Sequence, residues 1–218
     1  MLRTLRGSLG TLLRAAEMSI KIKRFLQATY PEQASLFAQL KTIPKLAAPD
    51  LALPEAVVRV VIGQMLSGAA ADTIYGRVSS LAAKRKLKGS WRLNYDDLRS
   101  CGLSGSKAKT ICAFGEKIGN RPSALEYWRE LPVDALMQEI KSNKGMGDWT
   151  AGIVALFYIG HEDVFPLGDA TLKRAVAAVE HNATKISRKA VFDPNRAAPF
   201  RSYLALYLWQ AIDTGQLA

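Results

Sequence analysis

The sequence predicts an all-α fold, and three observations carry the prediction. Leu53, Val57, Val60, Val61 and Met65 recur at helical spacing. No run of β-branched residues alternates with polar ones over the length of a strand. Proline followed by an acid opens two segments, Pro31-Glu32 and Pro54-Glu55. Proline suits the first turn of a helix, where its missing N–H is not needed, and an acid there meets the positive end of the helix dipole.

The elements follow in order. Met1 to Ala16 contain Leu, Arg, Ser and Thr and no acid, in the style of an organelle transit peptide. The same stretch also reads as a short helix, or as an upstream extension of a gene whose start is Met18. Residues 1–18 are therefore expected to be a dispensable tail or a mis-assigned start. Helices are predicted at Ile20–Thr29 and Pro31–Leu40, and Ala47-Ala48-Pro49-Asp50 marks a lobe boundary. Pro54–Ser67 carries the apolar face named above. Further helices are predicted at Ala70–Leu81, Tyr95–Ser100, Ser106–Gly119, Ser123–Glu130, Val133–Ser142 and Asp148–Ile159. Two more are predicted at Ala170–Glu180 and Pro199–Ile212. There is no repeat at a solenoid period and no low-complexity linker.

Composition narrows the class. The 218 residues carry 30 Lys and Arg against 19 Asp and Glu, a formal charge of +11. That excess points to nucleic acid, with plain solubility as the other reading. Residues 1–30 hold six basic side chains and one acid, which leaves +6 for the remainder. The body therefore reads as a basic binding face rather than a basic tail. Cys101 and Cys112 are the two cysteines, too few for a disulfide framework or a four-cysteine metal or iron–sulfur site. A reducing, intracellular setting is expected, in cytoplasm and nucleoid or in a nucleus. The longest uncharged stretch, Trp149 to His161, is 13 residues, too short to cross a bilayer. No membrane partner is expected.

The segment with the most chemistry is 134–151. Residues 134–142 read as an amphipathic helix, Asn143-Lys144-Gly145-Met146-Gly147 as a tight hairpin, and Asp148-Trp149-Thr150-Ala151 as the start of a second helix. Glycine permits a positive φ and close approach of another backbone. The unpaired N–H groups at a helix start attract anions, and Lys144 adds charge beside them. A DNA phosphate fits that chemistry. Taken alone, the stretch favours an ordinary glycine-capped αα-turn.

Residues 145–169 read GMGDWTAGIVALFYIGHEDVFPLGD. This resembles the helix–hairpin–helix, Pro/Gly loop and aspartate of the HhH-GPD DNA glycosylase superfamily, with Asp169 at the aspartate, 22 positions after Gly147. Two further segments agree. Arg59 to Ser67, with Gln64 and Met65, looks like an early helix end of that family. Ala198-Pro199-Phe200-Arg201-Ser202-Tyr203 with Leu208-Trp209 looks like its late helix. The resemblance covers roughly residues 50–212. It is nearest to the 3-methyladenine DNA glycosylase II branch, without the additional N-terminal β domain of its enterobacterial form.

The resemblance implies a monofunctional glycosylase that flips an alkylated purine of the 3-methyladenine or 7-methylguanine type out of duplex DNA and hydrolyses its N-glycosidic bond. Asp169 would be the catalytic carboxylate. It also precedes Ala170-Thr171-Leu172 as a helix N-cap, and the two roles are compatible. Trp149 stands where bifunctional members carry a nucleophilic lysine. With Phe200 it is a candidate for the base pocket, and each also fits a core position. Met65 matches the wedge that fills the gap left by the flipped nucleotide, with Gln64 beside it. Core packing is the other reading of Met65. Lys144, Gly145, Met146, Gly147 and Thr150 complete the expected DNA-binding set. Lys107 and Lys109 read as a solvated helix face that could also reach phosphate. Arg201 could bond the Pro166–Asp169 loop or a phosphate, and Tyr203 and Trp209 read as core.

Departures from the branch concern the pocket. Ala197, Phe200 and Ile153 stand where that relative has aromatic residues, so the range of bases taken is open. Two other functions remain in view at this level. One is a non-catalytic helix–hairpin–helix DNA binder, and the other a glycosylase for another base such as uracil. No organic cofactor and no metal site are implied, and a monomer is expected. Two helical lobes are expected, with residues 54–165 central, the helix–hairpin–helix at about 134–159, and residues 19–53 packing with 166–218. Asp169 and Met65 would face a DNA cleft from opposite sides.

Overall fold

A computed structural model describes residues 2–121, 123–184 and 192–217, without the side chains of residues 2–13 and 182–184. Those described residues are helical with no strand, which bears out the all-α prediction. The chain divides into two units, residues 1–46 with 161–218, and residues 47–160.

In the first unit, helix α1 spans Leu2–Thr29 and runs without a break through residues 17 and 18. It is longer than the Ile20–Thr29 prediction. A 3-10 turn at Pro31–Gln33 leads into α2 (Ala34–Gln39), where one helix was predicted over Pro31–Leu40. The unit closes with α9 (Ala170–Thr184) and α10 (Arg201–Asp213). Helix α10 buries residues on all sides, including Tyr203, Leu204, Tyr207 and Leu208. A helix apolar all round belongs in a core. The Tyr203 and Tyr207 hydroxyls accept the backbone N–H groups of Leu46 (3.1 Å) and Ile43 (3.2 Å), which pins the segment after α2 along α10. Burial pushes the Tyr203 hydroxyl up to about 12, so it stays a proton donor to Glu162 Oε1 (2.9 Å).

The first turn of α10 also holds the chain entering the Pro/Gly loop. Arg201 Nε and Nη2 donate to the two oxygens of Asp163 at 2.7 and 3.0 Å. Ser202 Oγ, fully buried, accepts from Val164 N–H at 2.9 Å. The bidentate pair fixes both distance and plane.

In the second unit, α3 (Leu53–Gly63) is the central element, with α4 (Gly68–Lys84), α6 (Gly105–Ile118) and α8 (Asp148–Val154) packed against it. Helix α5 (Tyr95–Ser100) precedes α6, and α7 (Val133–Lys141) precedes the hairpin. Helix α8 passes into a single π turn over Ala155–Ile159. Pro54 sits in the first turn of α3, as predicted, and Glu55 accepts from Ser90 N–H (2.9 Å), Ser90 Oγ (2.6 Å) and Tyr75 Oη (3.1 Å). Two predicted elements change. Ser123–Glu130 shrinks to a 3-10 turn over Glu126–Glu130. Helix α3 stops at Gly63 rather than Ser67, because Met65 takes a left-handed backbone, φ +56°, and Ser67 caps α4 through Ala70 N–H.

Candidate functional site

The hairpin is built by local chemistry. Asn143 Nδ2 donates to Glu139 O and Ile140 O, both at 3.0 Å, and closes the end of α7. Lys117 Nζ holds the Asn143 side-chain oxygen at 3.2 Å. Gly145 has φ +85°, and a Cβ there would lie 2.1 Å from Thr110 Oγ1. Both the backbone angle and the approach to Thr110 require glycine. Gly147 is different. It is the residue before α8, its backbone is extended, and a Cβ would meet nothing within 4 Å. Its lack of a side chain leaves open the start of α8, where first-turn N–H groups have no helical acceptor.

The hairpin side chains divide into anchors and exposed groups. Met146 is 4% exposed and Thr150 1%, so their side chains hold the hairpin to the unit's core rather than facing outward. Lys144, Gly145 and Gly147 are exposed. Asp148 pairs with Lys141 Nζ at 2.6 Å. Trp149 is half-buried, with its ring 4.0 Å from the Cβ position of Gly63 on α3.

Gln64 and Met65 follow the end of α3. Gln64 Nε2 donates to Gly145 O at 3.0 Å and to Thr150 Oγ1 at 2.9 Å, tying this turn to the hairpin. Met65 is 100% exposed. The core reading of Met65 is thereby replaced: its helical spacing does not apply once α3 has ended. A non-glycine residue in the left-handed region costs about 1–2 kcal/mol, and an exposed Met gains nothing from burial to offset it. Lys107 is no solvated helix face either. Its Nζ donates to Ile62 O (2.8 Å) and Gln64 O (2.5 Å), and desolvation lowers its pKa. Lys109 is exposed.

Asp169 lies in the first unit. The Pro166–Asp169 turn is closed by Asp169 N–H donating to Pro166 O at 2.9 Å. Asp169 Oδ1 accepts from Leu172 N–H at 2.9 Å, the N-cap predicted from sequence, and from Trp209 Nε1 at 3.0 Å. Two donors on one oxygen fix the carboxylate plane, and a helix N-terminus suits negative charge. Phe200 is half-buried and packs edge-on against Phe25, with centroids 5.4 Å apart, and against Tyr203 at 6.2 Å. Arg201 pairs with Asp163 and also reaches Asn195 Oδ1 at 3.3 Å.

No protein-family model matches the chain. It is 26% identical over 162 residues to DNA-3-methyladenine glycosylase 1 of Schizosaccharomyces pombe, an alignment covering 72% of this chain and 71% of that protein. It is 27% identical over 169 residues to the alkylbase DNA glycosidase-like protein mag2 of the same yeast, covering 74% and 79%. Its fold matches the solved structure of the S. pombe 3-methyladenine DNA glycosylase Mag1 in complex with abasic DNA. The TM-score is 0.67, at 19% identity, covering 91% of this chain and 98% of that one. These likenesses support the resemblance to the HhH-GPD superfamily.

The sequence-predicted residues fall into two groups. Gln64, Gly145 and Thr150 meet through hydrogen bonds in the second unit, with Met65 beside them. Asp169 stands in the first unit with Trp209. Sequence reasoning missed Trp209 as a partner of Asp169, although an indole N–H that is partly buried needs an acceptor. It also missed that the basic charge is concentrated in part. Lys84-Arg85-Lys86-Leu87-Lys88 closes α4, with the four cations exposed and Arg85 paired to Asp97. Cations at that end of a helix complement its dipole.

Proposed function

We propose that this protein is a monofunctional DNA N-glycosylase of base-excision repair, acting on alkylated purines of the 3-methyladenine and 7-methylguanine type in duplex DNA. The observation that carries the reading is Asp169, oriented through Oδ1 by Leu172 N–H and Trp209 Nε1 after a Pro/Gly turn. A module that only grips the DNA backbone has no need of a carboxylate held in this way. The names of the relatives support the same reaction class.

The chemistry runs as follows. An alkylated purine is cationic, so the C1′–N bond breaks with its electron pair passing to the base, which departs neutral without a general acid. The sugar gains oxocarbenium character. The ionised Asp169 stabilises that charge and favours attack of water at C1′. Water adds its oxygen to C1′ and loses a proton, giving free base and an abasic site. Trp149, in the place of the lysine of bifunctional members, supplies no amine, so the strand stays uncut.

Before that step, the base must leave the stack. Met65, projecting fully from its turn, fills the vacated position. Gly145, Gly147 and Lys144 receive backbone phosphate, while Met146, Thr150 and Gln64 hold the hairpin in shape. Trp149 and Phe200 are each candidates to touch the base. The partner is double-stranded DNA containing a damaged base, and the protein works inside the cell as a monomer. Phosphate contacts make binding salt-sensitive.

The deciding experiment compares base release from methylated duplex DNA by wild type and Asp169→Asn. Asparagine keeps an oxygen on the cap, so melting temperature and DNA affinity should change little. Base release should fall by at least about 100-fold. Equal turnover by both would remove Asp169 from catalysis. Salt-sensitive binding with no base released by wild type would point to a non-catalytic binder or to another lesion, such as uracil.

A further inference from the structure

The end of α3 carries an arrangement that neither base chemistry nor phosphate binding accounts for. Four carbonyls there lose their helical partners. Val61 O accepts from Gln64 N–H (3.4 Å) and Gly63 O from Leu66 N–H (3.1 Å). The alternate two, Ile62 O and Gln64 O, both accept from Lys107 Nζ. Every carbonyl from Val61 to Gln64 thus has a partner, and the residue these bonds bracket is Met65.

Lys107 holds this position against its own local preferences. It lies in the first turn of α6, where a cation faces the positive end of that helix's dipole. It is partly desolvated, which disfavours the ammonium and lowers its pKa. A residue that breaks local rules twice while satisfying a distant turn marks a site where function outweighs local stability. The same turn is held from the other side by Gln64, whose side chain reaches Gly145 O and Thr150 Oγ1.

We infer that Lys107 is the positioning residue of the wedge: its ammonium bridges Ile62 O and Gln64 O, holds Met65 in its left-handed, fully exposed pose, and with Gln64 couples the wedge to the hairpin. This rests on the reading of Met65 as a wedge given above. Lys107 acts through Met65 and touches neither the base nor a phosphate. A rigid wedge enters the base stack without first losing the entropy of a mobile loop.

The test uses the full chain with Lys107→Met, which keeps the apolar stem and removes the donors, alone and combined with Met65→Ala. Backbone hydrogen exchange of the segment 62–68, without DNA, should be faster in K107M than in wild type. Affinities are then measured for an intact duplex and for one carrying a tetrahydrofuran abasic analogue. K107M should keep its affinity for intact duplex within about twofold and leave the slope of affinity against salt unchanged. Its preference for the abasic duplex should fall about tenfold, with no further fall when added to M65A. A salt slope shallower by about one would make Lys107 a phosphate contact and overturn the inference. Additive losses with M65A, or unchanged exchange over 62–68, would overturn it too. If K107M does not fold, Lys107→Gln replaces it in each measurement. If wild type shows no preference for the abasic duplex, the glycosylase reading is what fails, and the exchange experiment alone decides the role of Lys107.

Discussion

The indole of Trp209 donates to Oδ1 of Asp169 at 3.0 Å, across 40 residues of sequence. A residue in the body of α10 thereby sets the orientation of the carboxylate that caps α9. Trp209→Phe keeps the ring and deletes the donor. Losing one hydrogen bond to a charged group is worth about 1.5 kcal/mol or more, so base release should slow by about tenfold or more. DNA affinity should be unchanged, because the indole faces the carboxylate. An unaltered single-turnover rate would show that Asp169 needs no help from α10.

Met65 sets stability against function at one position. Its φ of +56° suits glycine, and its side chain contributes no burial. Met65→Gly should therefore melt at the same temperature as wild type or higher. The same variant should lose its preference for abasic over intact duplex, since the side chain proposed as the wedge is gone. Measuring both on one preparation separates the effects. A drop in melting temperature would show that the side chain packs in solution.

Gly145 and Gly147 predict opposite phenotypes. An alanine at 145 meets Thr110 Oγ1 at 2.1 Å and a forbidden φ, and should cost about 2 kcal/mol or more of stability. An alanine at 147 meets nothing within 4 Å and should fold, losing about 1 kcal/mol at most. It places a methyl where a phosphate would approach, so affinity should fall across all duplex sequences. Thermal melts and anisotropy titrations read the two outcomes. Wild-type affinity in Gly147→Ala would make the hairpin only a turn.

Asp163 gives a pH signature. Hydrogen bonds from Arg201 hold its carboxyl below the ordinary aspartate range. A depressed folded-state value means the pair contributes fully above the unfolded value, about 3.9. That contribution disappears as pH falls through the folded value. Asp163→Asn should thus be less stable than wild type at pH 7, and the gap should close in strong acid. Melting curves from pH 7 down to about pH 2 test this. A gap independent of pH would assign the effect to packing instead of charge.

Much of this was legible in the chain because it is local. Helix starts at Pro54, the hairpin glycines and the Asp169 cap depend on neighbours within a few residues, and those neighbours are adjacent in sequence. The end of α3 was not legible. The apolar repeat that includes Met65 predicts a helix through Ser67, and only Lys107, more than 40 residues away, shows where the backbone turns.

The sequence by itself determined an all-helical chain, a glycine hairpin and an aspartate before a helix, since helical periodicity and capping are short-range properties. Tertiary structure decided that Met65 points outward, that Thr150 and Met146 turn inward, and that Trp209 donates to Asp169 Oδ1. Those outcomes depend on donors and acceptors brought together across 40 or more residues, and such pairings leave no periodic trace in a single sequence.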